Sequence, residues 1–261
     1  MTFRAAIFDV DGVLVDSPHE RAWRDSFAEL MDTEWADVRE ESTYTPERFT
    51  ADVYHQVMSG KPRMSGALAV LDYFQVPDAE NRVQAYADRK QALVRELIGR
   101  GEFRAYPDAL RFILAVKYSG IPVAAASSSK NAQLFLERIY LDVFVNEHGL
   151  PYSAVKPGLT LLDLFDVNLS GQDFKHGKPH PMMFLAVAEE LGVKPEWCVV
   201  MEDAVSGIQA AKAGGMTALG VSRADDEDAL ARAGADRVVT SLDDVSVSAL
   251  HQGSVELATI R

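Results

Sequence analysis

Ala5-Ala6-Ile7-Phe8-Asp9-Val10-Asp11-Gly12-Val13 is the stretch from which the rest of the chain can be read. Ala5 to Phe8 is a short apolar run that suits a buried strand, and Gly12 is a natural stop for it. On extended chain, residues two apart share a face. Asp9 and Asp11 therefore both reach one pocket at the strand's carboxyl end, where open α/β sheets bind ligands. Two close carboxylates suit a divalent metal, or a nucleophile beside a general acid/base. A solvated Asp-Gly turn is the bland alternative.

Composition narrows the classes. The chain has 261 residues, 48% apolar and 25% charged, close to the globular average and enough for one large domain or two modest ones. The net charge of −13 argues against nucleic acid or an anionic membrane as partner. An anionic substrate then needs a local Lys/Arg cluster or a metal. No membrane span and no signal peptide is expected, and the setting expected is cytoplasmic. Cys198 is the sole cysteine, so no intrachain disulfide forms. It lies in an apolar run and reads as inert core. A monomer is the expectation, with an oligomer left open.

The periodicity falls into blocks. After the first strand, residues 17–100 read as a helical insertion. One helix starts at Pro18-His19-Glu20-Arg21-Ala22-Trp23 and runs through Met31, with further helices over about 46–59, 65–75 and 78–98. No strand is evident there. From Pro107 onward helices alternate with strands: a helix to Tyr118, a strand over Ile121–Ala126, and a helix over Asn131–Ile139. Then come a helix from Met182, strands at Cys198–Met201, Thr217–Val221 and Arg237–Val239, and helices between them. Such alternation predicts a parallel sheet covered on both faces. Residues 1–16 and 101–245 then form a discontinuous α/β core. Residues 17–100 form a helical cap domain, with hinges near Ser17 and Gly101. Residues 246–261 are a weakly patterned tail.

Further chemistry falls at the ends of the predicted strands. Ser127-Ser128-Ser129-Lys130-Asn131 opens a helix, and hydroxyls with free N–H groups there make an anion site; Ser-rich caps are also common. Lys178 stands between Gly177 and Pro179, where it can place one charge or simply be an exposed loop lysine. Glu202 and Asp203 end the Cys198 strand. They are either a solvated turn or two more carboxylates beside Asp9 and Asp11. Four carboxylates at one sheet edge repel without a hard cation such as Mg²⁺.

Asp9-Val-Asp11-Gly12-Val-Leu-Val-Asp16-Ser17, Ser127, Lys178-Pro179 and Glu202-Asp203 resemble, in order, the four motifs of the haloacid dehalogenase superfamily. The resemblance implies a Rossmann-like core with Asp9 as covalent nucleophile and Asp11 as general acid/base. Asp11 argues against dehalogenation, whose branch lacks it. It also implies Mg²⁺ held by Asp9, Asp203 and the main-chain carbonyl of Asp11, with Glu202 supporting. Lys178 and Ser127 would orient the transferring phosphoryl group.

The insertion is similar to that of β-phosphoglucomutases. His19-Glu-Arg-Ala-Trp23, Gly60-Lys-Pro-Arg63 and Arg89-Lys90 match their cap elements, and Ser127 to Asn131 matches their phosphate loop. By this likeness Gly60, Arg63, Ser129, Lys130 and Asn131 would hold the phosphate that is not transferred. His19 and Lys90 would orient substrate and Asp11, whereas Trp23 reads as packing and Arg89 as a solvated charge. Two departures stand out. The link from Asp16 to His19 is shorter than in the mutases, and Asn146 to His176 is a long insertion that would carry specificity or a short helix. The expected reaction is Mg²⁺-dependent conversion of β-glucose 1-phosphate to glucose 6-phosphate, with glucose 1,6-bisphosphate as activating intermediate. A sugar-phosphate phosphatase is the alternative, and a silent phosphate-sensing module is a more distant one.

Overall fold

The computed structural model describes residues 2–58 and 61–258. Two compact units divide it: Met1–Asp16 with Arg104–Arg261, and Ser17–Phe103.

The first unit is a parallel sheet with helices. Its strands are β1 (Ala5–Phe8), β4 (Val123–Ala125), β5 (Val167–Asn168), β6 (Cys198–Glu202), β7 (Thr217–Val221) and β8 (Arg237–Val239). They stand in the order β5-β4-β1-β6-β7-β8. Every pairing in this sheet is parallel. β1 is central and completely buried, which explains its unbroken apolar run: strands covered on both faces do not alternate. One core cluster packs Ile7, Ala124, Phe184, Val200, Ile208 and Ala218 together. Cys198 is in that cluster, and burial pushes its thiol up to about 12, so it is inert.

Three features depart from the pattern read from sequence. First, β2 (Val15–Asp16) and β3 (Arg104–Ala105) form an antiparallel pair where the chain leaves and re-enters this unit, tied by the Arg104–Asp16 ion pair at 2.8 Å. Strands this short carry no periodicity. Second, the long segment 146–176 holds a short helix, Leu161–Leu164, closed by a Thr160/Asp163 capping box, as one expectation had it, and departs from the reading in adding the edge strand β5. Third, the tail has a helix at Val247–His251 and is tied to the sheet unit by the Phe3 N–H donating to the Leu250 carbonyl, 3.2 Å.

The second unit is helical and has its own core. Its main helices are His19–Asp32, Arg63–Tyr73 and Ala79–Gly99. The first buries Ala22, Trp23, Ser26, Phe27, Leu30 and Met31, a stripe at helical spacing. Phe27 sits among rings, with centroids 4.8 Å from Tyr44, 5.0 Å from Tyr86 and 5.5 Å from Phe74. The Tyr86 hydroxyl donates to the Trp23 carbonyl at 2.9 Å, the partner a buried phenol needs. The expected helix over 46–59 is instead a 3₁₀ turn (Pro46–Arg48), a short α-turn (Ala51–Val53) and a π-turn (Tyr54–Met58). Thr50 is extended, and its side chain accepts from the Val53 N–H. A new cap inside the stretch breaks the helix there. Among the described residues no helix is long and apolar enough to cross a membrane.

Candidate active site

β1 delivers Asp9. The Asp9 N–H donates to the Met201 carbonyl at 3.0 Å, so the residue is still fixed to the sheet when its side chain leaves the edge. The chain then turns tightly: Leu14 and Val15 N–H groups both donate to the Val10 carbonyl at 3.0 Å, and Gly12 N–H to the Val15 carbonyl at 2.8 Å. Gly12 has φ +85°, and a Cβ placed there would collide with the Asp203 carboxylate. Glycine is required twice over, for the left-handed backbone and for the close approach. That approach also brings Asp203 against the Asp11-Gly12 turn.

β6 lies beside β1 in register, Phe8 opposite Met201, so Asp9 and Glu202 leave adjacent strand ends. Lys178, from the loop before the helix Met182–Glu190, joins them. Its ammonium donates to Asp9 Oδ1 at 2.6 Å and to Glu202 Oε1. The three side chains are 11%, 7% and 1% exposed for Lys178, Asp9 and Glu202. The other oxygen of Glu202 accepts from the Ala204 N–H at 2.9 Å, and a Cβ at Gly207 would collide with this carboxylate. Both oxygens of Glu202 are thus engaged. These contacts fix Lys178 and the strand-to-helix turn.

Burial pushes the Asp9 carboxyl up to about 7, against the lowering effect of Lys178. Burial, then Glu202 and Asp9, raise Asp203 well above the carboxylate range. Burial pulls the Lys178 ammonium down, but Asp9 and Glu202 outweigh it and hold it above its usual value. The edge thus carries more negative charge than one lysine neutralises, and its donors are all hard oxygens. That donor set fits Mg²⁺. Among the described residues no group of three or more His, Cys, Asp or Glu side chains is placed to hold a metal ion by itself.

β4 delivers the serine loop on the other side of β1. The Ala126 N–H donates to the Phe8 carbonyl at 2.9 Å. Ser127 Oγ accepts from the Ser129 N–H at 3.2 Å, and Ser129 Oγ from the Asn131 N–H at 3.3 Å. Ser127 and Asn131 are buried. The helix that follows is only Ala132–Leu136, shorter than the sequence suggests. The loop is backed by the insertion after β5: the Gly171 N–H donates to the Ser127 carbonyl at 2.8 Å, and Asp173 pairs with Lys130. Nothing in the sequence pattern pointed to Gly171 or Asp173, because their partners lie some forty positions earlier.

The helical unit holds the remaining candidates. Lys90 is 6% exposed. Its Nζ is 3.4 Å from His19 Nδ1 and 4.7 Å from the Trp23 ring centre. A buried ammonium held by an imidazole and an aromatic face is a costly arrangement, typical of functional positions. Arg63 is exposed at the start of its helix. Arg89 pairs on the surface with Glu29 and Glu34 at 2.9 and 2.8 Å. Gly60 lies outside the described residues.

A parallel sheet with a lysine-clamped aspartate at its carboxyl edge defines a Rossmann-like α/β enzyme. The chain belongs to the haloacid dehalogenase-like hydrolase family, whose model matches residues 3–215. It is 33% identical over 258 residues to a β-phosphoglucomutase of Mycobacterium bovis, covering 92% of this chain and 90% of that protein. It is 32% identical over 234 residues to a phosphorylated carbohydrates phosphatase of Thermotoga maritima, covering 88% and 91%. The crystal structure of an archaeal β-phosphoglucomutase from Pyrococcus sp. superposes with a TM-score of 0.68 at 27% identity, covering 95% of this chain and 97% of that one.

Proposed function

We propose that this enzyme transfers a phosphoryl group on a sugar phosphate through an aspartyl-phosphate at Asp9, and that it acts as a β-phosphoglucomutase. The observation that carries the chemistry is the buried Asp9–Lys178–Glu202 clamp. Lys178 aims the Asp9 carboxylate and favours its charged form, in a site whose burial favours the neutral acid. Asp9 attacks phosphorus, the bond to the leaving sugar oxygen breaks, and Asp11 protonates that oxygen. The acceptor hydroxyl then gives its proton to Asp11 and attacks the phosphoryl group, which frees Asp9. Lys178, Ser127 and the N–H groups of the serine loop bind the phosphoryl oxygens, so much of the catalysis is positioning and charge stabilisation. Mg²⁺ held by Asp9, Asp203 and the main-chain carbonyl of Asp11, with Glu202 supporting, would neutralise charge on the transferring group.

Two features favour a sugar acceptor over water. Lys90 is buried and poised by His19 and Trp23, and Arg63 is an exposed cation suited to a second phosphate. The likeness to the M. bovis mutase supports the same reading. The likeness to the T. maritima phosphatase supports the second reading, in which water is the acceptor. The deciding experiment supplies Mg²⁺, β-glucose 1-phosphate and a trace of glucose 1,6-bisphosphate, and follows glucose 6-phosphate and free phosphate in parallel. Glucose 6-phosphate in excess of phosphate is expected. Phosphate released in step with substrate loss would establish the phosphatase.

A further inference from the structure

We propose that Arg223 is a positioning residue that sets the Gly12–Val13 backbone and, through it, the reacting Asp11 and the approach of Asp203. This inference rests on the reading of Asp9 and Asp11 as the reacting pair.

Arg223 follows β7, far from every sequence motif, and its side chain is 17% exposed. Its guanidinium makes three kinds of contact. Nη1 and Nη2 donate to the two oxygens of Asp108 at 3.0 and 3.2 Å. Nε donates to the Gly12 carbonyl, Nη2 to the Val13 carbonyl and Nη1 to the Thr240 carbonyl, each at 3.4 Å. Its carbon lies 4.0 Å from the Tyr106 ring centre. The far anchor is rigid: Asp108 is in the first turn of the helix Pro107–Tyr118 and also accepts from the Leu242 N–H at 2.8 Å.

The geometry gives Gly12 two faces. One meets the Asp203 carboxylate, which leaves no room for a Cβ. The other presents two consecutive carbonyls to a planar fork fixed on the core. Gly12 is also the most permissive residue of the turn, at φ +85°, and no side chain of its own holds it. An external clamp therefore does what side-chain packing does elsewhere. Only arginine can satisfy a carboxylate and these three carbonyls at once. The peptide it orients adjoins Asp11, so a shift there displaces a reacting group with no loss of substrate contact.

The test compares Arg223→Ala and Arg223→Lys with a control, Arg111→Ala. The control removes the 2.5 Å Arg111–Asp243 pair, which ties the same helix to the same turn as Asp108–Leu242. Readouts are kcat and KM with the sugar phosphate, the thermal midpoint, and amide hydrogen exchange at Gly12, Leu14 and Val15 without ligand. Arg223→Ala is expected to cut kcat by roughly 10- to 100-fold with KM within about twofold, and to speed exchange at the turn by roughly tenfold. Arg223→Lys should restore the midpoint but only part of kcat, since an ammonium lacks the fork. Arg111→Ala should lower the midpoint alone. A kcat for Arg223→Ala matching that of Arg111→Ala would overturn the proposal. Should Arg223→Ala fail to fold, full kcat in Arg223→Lys overturns it. If the wild-type protein turns over no sugar phosphate, the functional reading fails separately. Unchanged exchange at the turn then overturns the positioning role, and faster exchange supports it.

Discussion

The sheet unit and the helical unit use charge in opposite ways. In the sheet unit the important ion pairs are buried and join distant parts of the chain: Lys178 with Asp9 and Glu202, Arg223 with Asp108. In the helical unit most pairs are exposed, as with Arg21–Glu102, Arg39–Asp32 and Arg89 with Glu29 and Glu34. Its stability comes instead from the aromatic cluster around Phe27. Lys90 is its buried exception. The sheet unit thus invests its buried charge in the candidate site and the turn beside it, and the helical unit keeps most of its charge in water.

The comparison breaks most sharply at Asp9. Asp9→Asn removes the proposed nucleophile but keeps the shape, so turnover should fall by several orders of magnitude while the thermal midpoint stays near wild type. A variant with wild-type turnover would put the chemistry elsewhere. Lys178→Met comes next. It leaves Asp9 and Glu202 facing each other with no counter-charge, a loss of about 3–5 kcal/mol readable by urea unfolding, together with loss of activity. The helical unit has a counterpart of similar size. Phe27→Ala should cost about 3–5 kcal/mol by the same measurement, through packing alone. Arg89→Ala, which removes two exposed pairs, should change stability by less than about 1 kcal/mol.

Asp108 supplies the pH arm of the comparison. Burial raises its carboxyl, but the hydrogen bonds from Arg223 and Leu242 outweigh this and hold it below the usual value. A depressed folded pKa stabilises the fold above the unfolded value and loses that effect as pH falls through the folded one. The contribution should be complete above about pH 5 and fade below about pH 4. Midpoints measured across that range should show a shallower acid limb in Asp108→Asn. An unchanged limb would mean that Asp108 is not held by Arg223.

How much could be read from sequence follows the same division. β1, β6 and β7 were legible because buried parallel strands are continuous apolar runs that end at polar residues. Asp9, Asp11, Glu202 and Asp203 were legible because they stand at those ends. The helix His19–Asp32 showed in its apolar stripe. β2, β3 and β5 were not legible, since two residues cannot show a period. The break at Thr50 was missed because a cap inside a helical-looking stretch is a local hydrogen bond, not a pattern. The contacts of Glu202 with Lys178 and Ala204 show only in the structure, because sequence cannot tell which way a carboxylate turns. Arg223 and Asp108 were invisible because a lone arginine after a strand carries no motif, and its partner is 115 positions away.

The central claim is that Asp9 carries the phosphoryl group. It can be tested by mixing enzyme, Mg²⁺ and β-glucose 1,6-bisphosphate, quenching within milliseconds, reducing with borohydride and mapping peptides by mass spectrometry. Reduction of an aspartyl-phosphate leaves homoserine, so the account predicts homoserine at Asp9 and none in Asp9→Asn. Unmodified Asp9 in an enzyme that is turning over would contradict it.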